Sequence, residues 1–227
     1  MTSEQAGGAP RVVGVVVAPD RGGPGWWRLH GVRFLDHAVK ALSEVPGCDV
    51  VVVDEAHGTR ELSVSRMASG YDVVLVHDPL CPLVPASTLS ACAAAVGASG
   101  VLIGVLPVTD TVKSVVGDVI ASTLDRDALR LLAAPVAFAT SWVPALERRL
   151  PHARDLHDLA RLVDVLGALT TPVPVEVPSL ARRVADAEDI TVLECLDEVG
   201  HSPHADVSTG GTTGPGAPRP PAGPRRT

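Results

Sequence analysis

Hydrophobic residues fall along the chain in short unbroken runs, separated by amphipathic or polar stretches. Arg11 to Ala18 reads RVVGVVVA, and Val50 to Val53 and Val73 to His77 repeat the type. Runs this short and this β-branched predict strands buried on both faces, as in a parallel sheet. Between the first two, Val32 to Leu42 sets Phe34, Leu35, Ala38, Val39 and Leu42 on one face at helical spacing, which predicts a crossover helix. A second helix is predicted over Ser87 to Val96, introduced by Pro85 and capped by Ser87. Gly100 to Pro107 is the next strand. This alternation predicts an α/β fold: an open, doubly wound, mostly parallel sheet with helices on both faces, binding its ligand beyond the carboxyl ends of the strands.

From Val108 to Leu124 polar and apolar residues alternate around Gly117-Asp118, the pattern of a β-hairpin projecting from the sheet. A short helix is predicted over Asp127 to Ala133 and a longer one within Leu146 to Gly167. VPVEVP, starting at Val173, reads as a strand, and Ala187 to Val199 as a terminal helix whose Ile190, Leu193 and Leu196 pack back on the sheet.

Composition narrows the function. The 227 residues suffice for one sizeable core, and with aromatics at only 3% that core must be built from Val, Leu, Ile and Ala. A net charge of -7 argues against a nucleic-acid partner, which needs a basic face, while leaving a small anionic ligand open. The cysteines at 48, 81, 92 and 195 form no CxxC pair and no metal-ligand spacing with the histidines, so no protein metal site is expected and reduced thiols in the cytoplasm are the simplest account. MTSEQAGGAP lacks the features of a signal peptide, and no apolar stretch reaches membrane-spanning length, so no membrane association is expected. Residues 1–10 and the Gly/Pro-rich segment 200–227 are expected to be disordered, leaving one folded domain over 11–199 with its hairpin at about 108–126.

Three strings carry chemistry: VVLVHD closing at Asp78, LPVTDTVK from Leu106 to Lys113, and TLDR from Thr123 to Arg126. Together they resemble the 2-C-methyl-D-erythritol 4-phosphate cytidylyltransferase family, whose members load CMP from CTP onto a sugar-alcohol phosphate with release of pyrophosphate, on the non-mevalonate route to isoprenoid precursors. The resemblance implies a Rossmann-like nucleotidyltransferase sheet, CTP bound with Mg2+, and a homodimer in which the hairpin arm embraces the second subunit. It implies that Asp78 binds substrate beside the nucleotide. It further implies that Thr111 and Arg126 reach the sugar phosphate held by the partner, and that Asp158, within RDLHDLARL, is a further substrate residue. Arg183, in LARRVADAEDI, stands where the family carries a lysine aimed at the sugar phosphate.

The chain departs from the family in the loop after the first strand. In place of a PAAGxGxRMG loop followed by a PKQ-like triplet it has APDRGGPGWWRLHG. Ala18, Pro19, Gly22 and Gly23 are the candidate nucleotide-binding positions there, and Arg21 and Arg28, with Arg183, are the candidate catalytic cations. Pro24 removes an amide donor and Asp20 adds a repelling charge. Arg60 and Ser63, in HGTRELSV, match half of the family's cytosine-reading stretch, and Cys81 stands where the family has an arginine. Two alternatives stay open: a catalytically impaired dimeric scaffold with a binding or regulatory role, and transfer of another nucleotide stacked on Trp26 and Trp27.

Overall fold

The computed structural model describes residues 9–18, 23–54, 56–97 and 100–201. Its centre is a six-stranded sheet built from β1 (Val12–Val17), β4 (Cys48–Val53), β5 (Val73–His77), β6 (Val101–Pro107), β9 (Arg130–Ala139) and β10 (Val173–Glu176). The strand order is β10-β6-β9-β5-β1-β4. Every residue of β1 and β5 is buried, which is why both read as continuous apolar runs. β1 pairs in parallel with β4 on one side and β5 on the other. The chain leaves β1 through helix α1 (Phe34–Ser43) to β4, then passes through the short α2 (Val64–Met67) to β5 on the opposite flank. The crevice between the carboxyl ends of β1 and β5 is therefore a switch point, where open α/β sheets accept ligands.

The expected helix over Asp127 to Ala133 is absent. Arg126–Ala128 makes a single 3-10 turn, and Arg130–Ala139 is β9, antiparallel to both β5 and β6 in the middle of the sheet. LLAAPVAFA is an apolar run buried on both faces from Ala133 onward, which suits a central strand. Pro135 is accommodated because the β6–β9 register shifts between Ile103 and Val105, and a bulge tolerates the missing ladder donor. Helix α3 (Ala86–Ala95) starts after Pro85, and Ser87 makes no capping bond. Helices α4 (Val143–Glu147) and α5 (Leu159–Gly167) divide the longer helical stretch, and α6 runs over Ala187–His201. The hairpin appears as β7 (Lys113–Val116) and β8 (Val119–Thr123), turning through Gly117 at φ 60°. The expectations for residues 1–8 and 202–227 lie outside the described residues.

The sequence after β1 does not stay a simple turn. Residues 28–33 form a small hairpin, β2 (Arg28–Leu29) and β3 (Val32–Arg33). Leu29 and Phe34 are buried there with Val184 and Leu193 in a second, smaller core, which Trp27 and Ile190 join. Leu193 of α6 thus packs on this hairpin rather than on the sheet, and Leu196 stays 46% exposed. His30, at φ 48°, donates its backbone N–H to Glu194 at 2.7 Å, and its ring meets Asp197 at 3.2 Å.

Candidate active site

Asp78 follows the last residue of β5, and Pro79 stops the ladder from continuing. The carboxylate is 7% exposed and held from two sides. Oδ1 accepts the Leu80 N–H at 2.9 Å in an Asx turn, and Oδ2 accepts from Arg183 Nε at 2.7 Å. The partner arrives from far along the chain for a local reason. A 3-10 turn at Ser179–Ala181 leads into an extended stretch, and the Val184 N–H donates to the Leu80 carbonyl at 2.8 Å. Ala181 and Val184 point inward and are fully buried, which leaves Arg183 between them directed at Asp78. Half of the Arg183 side chain remains exposed, and its two terminal nitrogens make no hydrogen bond among the described residues.

Three cavities meet at Arg183. The first lies in the β1/β5 crevice between Val17, His77, Asp78 and Leu156. The second shares Asp78, His157 and Leu159 with it and reaches Asp158. The third runs from Leu132 to Thr109 and Asp110 at the base of the arm and includes Arg182. An arginine with free donors at the junction of a crevice and a second trough is placed to hold a group passing between two ligands.

The sequence candidates divide accordingly. Asp78, Arg183 and Asp158 are brought together, Asp158 also capping α5 by accepting the Arg161 N–H at 3.0 Å. Arg28 is turned away: its guanidinium donates to the Gly31 carbonyl at 2.6 Å, and it lines none of the three cavities. Gly23 starts the 3-10 turn Pro24–Trp26, and Ala18 is tied to Val53 by a backbone bond of 2.9 Å. Pro19, Arg21 and Gly22 lie outside the described residues. Ser63 caps α2 through the Arg66 N–H, and neither it nor Arg60 lines the three cavities. Thr111 and Arg126 stand on the arm, where Arg126 donates to the Thr109 carbonyl at 2.6 Å. Trp27 packs edge-on against Phe34, with ring centres 6.4 Å apart, so it is committed to the small core. His157 also lines the crevice and the neighbouring cavity, a position that nothing local in the sequence singled out.

Two buried groups flank Asp78. Burial, more than the nearby Asp78 charge, pushes the Cys81 thiol far up, so it stays protonated and inert as a nucleophile. Burial alone pushes the His77 imidazole down to about 4 from an ordinary value of 6.5, and neither ring nitrogen finds a protein partner among the described residues. The unfolded chain therefore binds a proton that the folded one refuses. Stability from this group is complete above pH 6.5 and is lost as the pH falls towards 4, by on the order of 3 kcal/mol. We expect the urea midpoint to fall between about pH 7.5 and about pH 4.5, and to fall less in His77→Leu; equal slopes in the two proteins would contradict the assignment.

As for metal, both Asp78 oxygens are engaged, Asp158 has one oxygen committed to its cap, and no group of three or more His, Cys, Asp or Glu able to hold an ion occurs among the described residues. Of the carboxylates at the cleft, Asp158 keeps its second oxygen for a cation carried in on phosphate oxygens. No helix among the described residues is long and apolar enough to cross a membrane.

Comparison with known proteins gives a consistent answer. The family model described as IspD, 2-C-methyl-D-erythritol 4-phosphate cytidylyltransferase, matches residues 58–196, beginning after the rewritten loop. The 2-C-methyl-D-erythritol 4-phosphate cytidylyltransferase of Thermus thermophilus is 31% identical over 183 residues, covering 76% of this chain and 83% of the relative. A bifunctional enzyme IspD/IspF of Anaeromyxobacter is 30% identical over 182 residues, covering 66% of this chain; the chain spans 47% of that relative's length. Among solved structures, the 4-diphosphocytidyl-2C-methyl-D-erythritol synthase of Anaerococcus prevotii shares the fold with a TM-score of 0.64 at 18% identity, covering 84% of this chain and 97% of its own. With well over half of its residues inside the matched span, the chain belongs to the 2-C-methyl-D-erythritol 4-phosphate cytidylyltransferase family.

Proposed function

We propose that this chain transfers CMP from CTP to 2-C-methyl-D-erythritol 4-phosphate, releasing pyrophosphate, as a cytoplasmic enzyme whose catalytic unit spans 11–199. The observation that carries this reading is Arg183, anchored by Asp78 with its terminal donors free, at the meeting point of the β1/β5 crevice and the trough towards the arm. CTP enters the crevice and the sugar-alcohol phosphate occupies the trough. A phosphate oxygen of the acceptor attacks the α-phosphorus, the bond to the β-phosphate breaks, and pyrophosphate leaves. No protein nucleophile is needed; alignment and fixed positive charge lower the barrier. Asp78 orients Arg183, and Arg183 holds the phosphoryl oxygens. Asp158 would help hold a magnesium ion arriving with the triphosphate, which would supply charge neutralisation for the leaving group.

Dimerisation belongs to the same reading. The arm exposes Val116, Val119 and Ile120 at 71, 68 and 64%, an apolar ribbon without a neighbour among the described residues. A second subunit would cover it and receive Thr111 and Arg126 at its own trough. Ile120→Asp is expected to sediment as a monomer and to lose activity where the unaltered protein is a dimer; a dimer unaffected by the change would rule out the arm.

The reading is tested by pyrophosphate release with methylerythritol phosphate and each of the four nucleoside triphosphates. Release with CTP alone is expected. Release with another triphosphate would favour a different nucleotide. CTP binding without turnover would favour the scaffold role.

A further inference from the structure

The segment after β1, where the chain departs from the family, also supports Arg183. Three bonds close a ring at the cleft: Asp78 Oδ1 accepts the Leu80 N–H at 2.9 Å, the Leu80 carbonyl accepts the Val184 N–H at 2.8 Å, and Arg183 Nε returns to Asp78 Oδ2 at 2.7 Å. Leu80, Arg183 and Val184 belong to no helix or strand, so the ring takes its shape from what it rests on. Val184 is fully buried with Leu29 and Phe34 from the segment after β1 and with Leu193 of α6, and Leu80 packs against the same group. His30 and Gly31, at φ 48° and 76°, form the tight turn of the β2–β3 hairpin. That turn is fastened to α6, because Glu194 accepts the His30 backbone N–H at 2.7 Å. The same helix holds the chain just beyond Val184: Asp189 accepts the Ala185 N–H at 2.9 Å and an Arg182 N–H at 2.8 Å. An arginine half in solvent has several staggered rotamers, and each one that points elsewhere is lost to the site.

We propose that this small core is the mount that aims Arg183, with Glu194 as a positioning residue. By fastening the β2–β3 hairpin to α6, Glu194 holds Leu29 and Phe34 against Val184 and so keeps the neighbouring guanidinium on Asp78, its terminal nitrogens towards the transferred group. Glu194 lines none of the three cavities and touches no substrate. The hairpin thus serves the reaction through Arg183. This deepens the cytidylyl-transfer reading and rests on it only for what Arg183 holds.

Glu194→Ala cuts the tie and is expected to stay folded, because the side chain is only part-buried and every apolar residue of the small core remains. Misplacing a catalytic group by about 1 Å costs on the order of a hundredfold, so kcat for pyrophosphate release is expected to fall by about tenfold to a hundredfold, with less change in KM. Glu194→Gln keeps an oxygen acceptor for the His30 N–H and is expected to retain most of the activity. The decisive comparison repeats Glu194→Ala in the Arg183→Ala protein. A residue that acts through Arg183 has nothing left to position there, so no further fall is expected. An equal fall in both backgrounds, or an unaltered kcat in Glu194→Ala, would overturn the proposal. Independently of turnover, the Arg183 Nε–H, bonded to Asp78, should give an exchange-protected NMR resonance in the full chain, assigned by its absence from Arg183→Ala. That resonance is expected to broaden or exchange with water in Glu194→Ala, and an unchanged one would also overturn the proposal. A protein that releases no pyrophosphate yet loses the resonance in Glu194→Ala would lose the transfer reading and keep the mount.

Discussion

Arg183→Ala is expected to lower pyrophosphate release by roughly 10²- to 10³-fold, the usual cost of removing one preorganised donor from a developing charge. The change removes the only arginine among the described residues that touches all three cavities at the cleft. It also leaves the nearly buried Asp78 carboxylate with one protein donor, the Leu80 N–H. Because Arg183 is half exposed, solvent offsets part of that loss, and a stability cost of about 1–2 kcal/mol is expected. The two effects can be separated. Adding Asp78→Asn to Arg183→Ala should recover stability, since no unpaired charge remains, and should recover no activity. Arg183→Lys keeps a charge but not the fork that bonds Asp78 and a phosphoryl oxygen together, so it should fall between. Steady-state kinetics beside urea denaturation checks the series, and wild-type turnover in Arg183→Ala would remove the residue from the site.

Gly104→Ala is expected to cause a large loss of stability. A Cβ there would stand 2.7 Å from the Ala134 carbonyl oxygen, 2.8 Å from its carbon and 3.0 Å from the Ala133 oxygen. These are backbone atoms of β9 at the register shift, held between two strands, and no flexible side chain can yield. Overpacking of this kind costs about 1–3 kcal/mol and more where backbone must move. Gly167→Ala, at the end of α5 with nothing within 4 Å of the new methyl, should be neutral or stabilising by about 0.5 kcal/mol. Denaturation midpoints of the pair decide the matter; equal midpoints would show that the bulge is slack.

The same bulge explains where the fold was legible in sequence and where it was not. Val73–His77 was delimited to the residue because five consecutive buried side chains can form only a central strand at that length. The arm was legible because alternation flanked a Gly-Asp turn. β9 was not, because an Ala-rich run containing a proline is compatible with a helix until its two neighbours in the sheet are known. The hairpin after β1 escaped for a related reason: Leu29 and Phe34 bury their side chains against Val184 and Leu193, more than 140 positions away. Within the site, Asp78 was visible as an acid closing an apolar strand. Its pairing with Arg183 spans 105 positions, so only the family resemblance suggested the arginine and nothing local suggested the bond. His157 became visible only when the turn before α5 was seen to face the crevice.

The central claim is that the β1/β5 crevice and the Asp78–Arg183 pair form a nucleotide-transfer site. A crystal structure of the protein with CTP and Mg2+ tests it most directly. The account predicts the cytidine in the crevice beside Val17 and His77, and the α-phosphate within hydrogen-bonding distance of an Arg183 terminal nitrogen. A nucleotide bound elsewhere, or one in the crevice whose phosphates point away from Arg183, would contradict it.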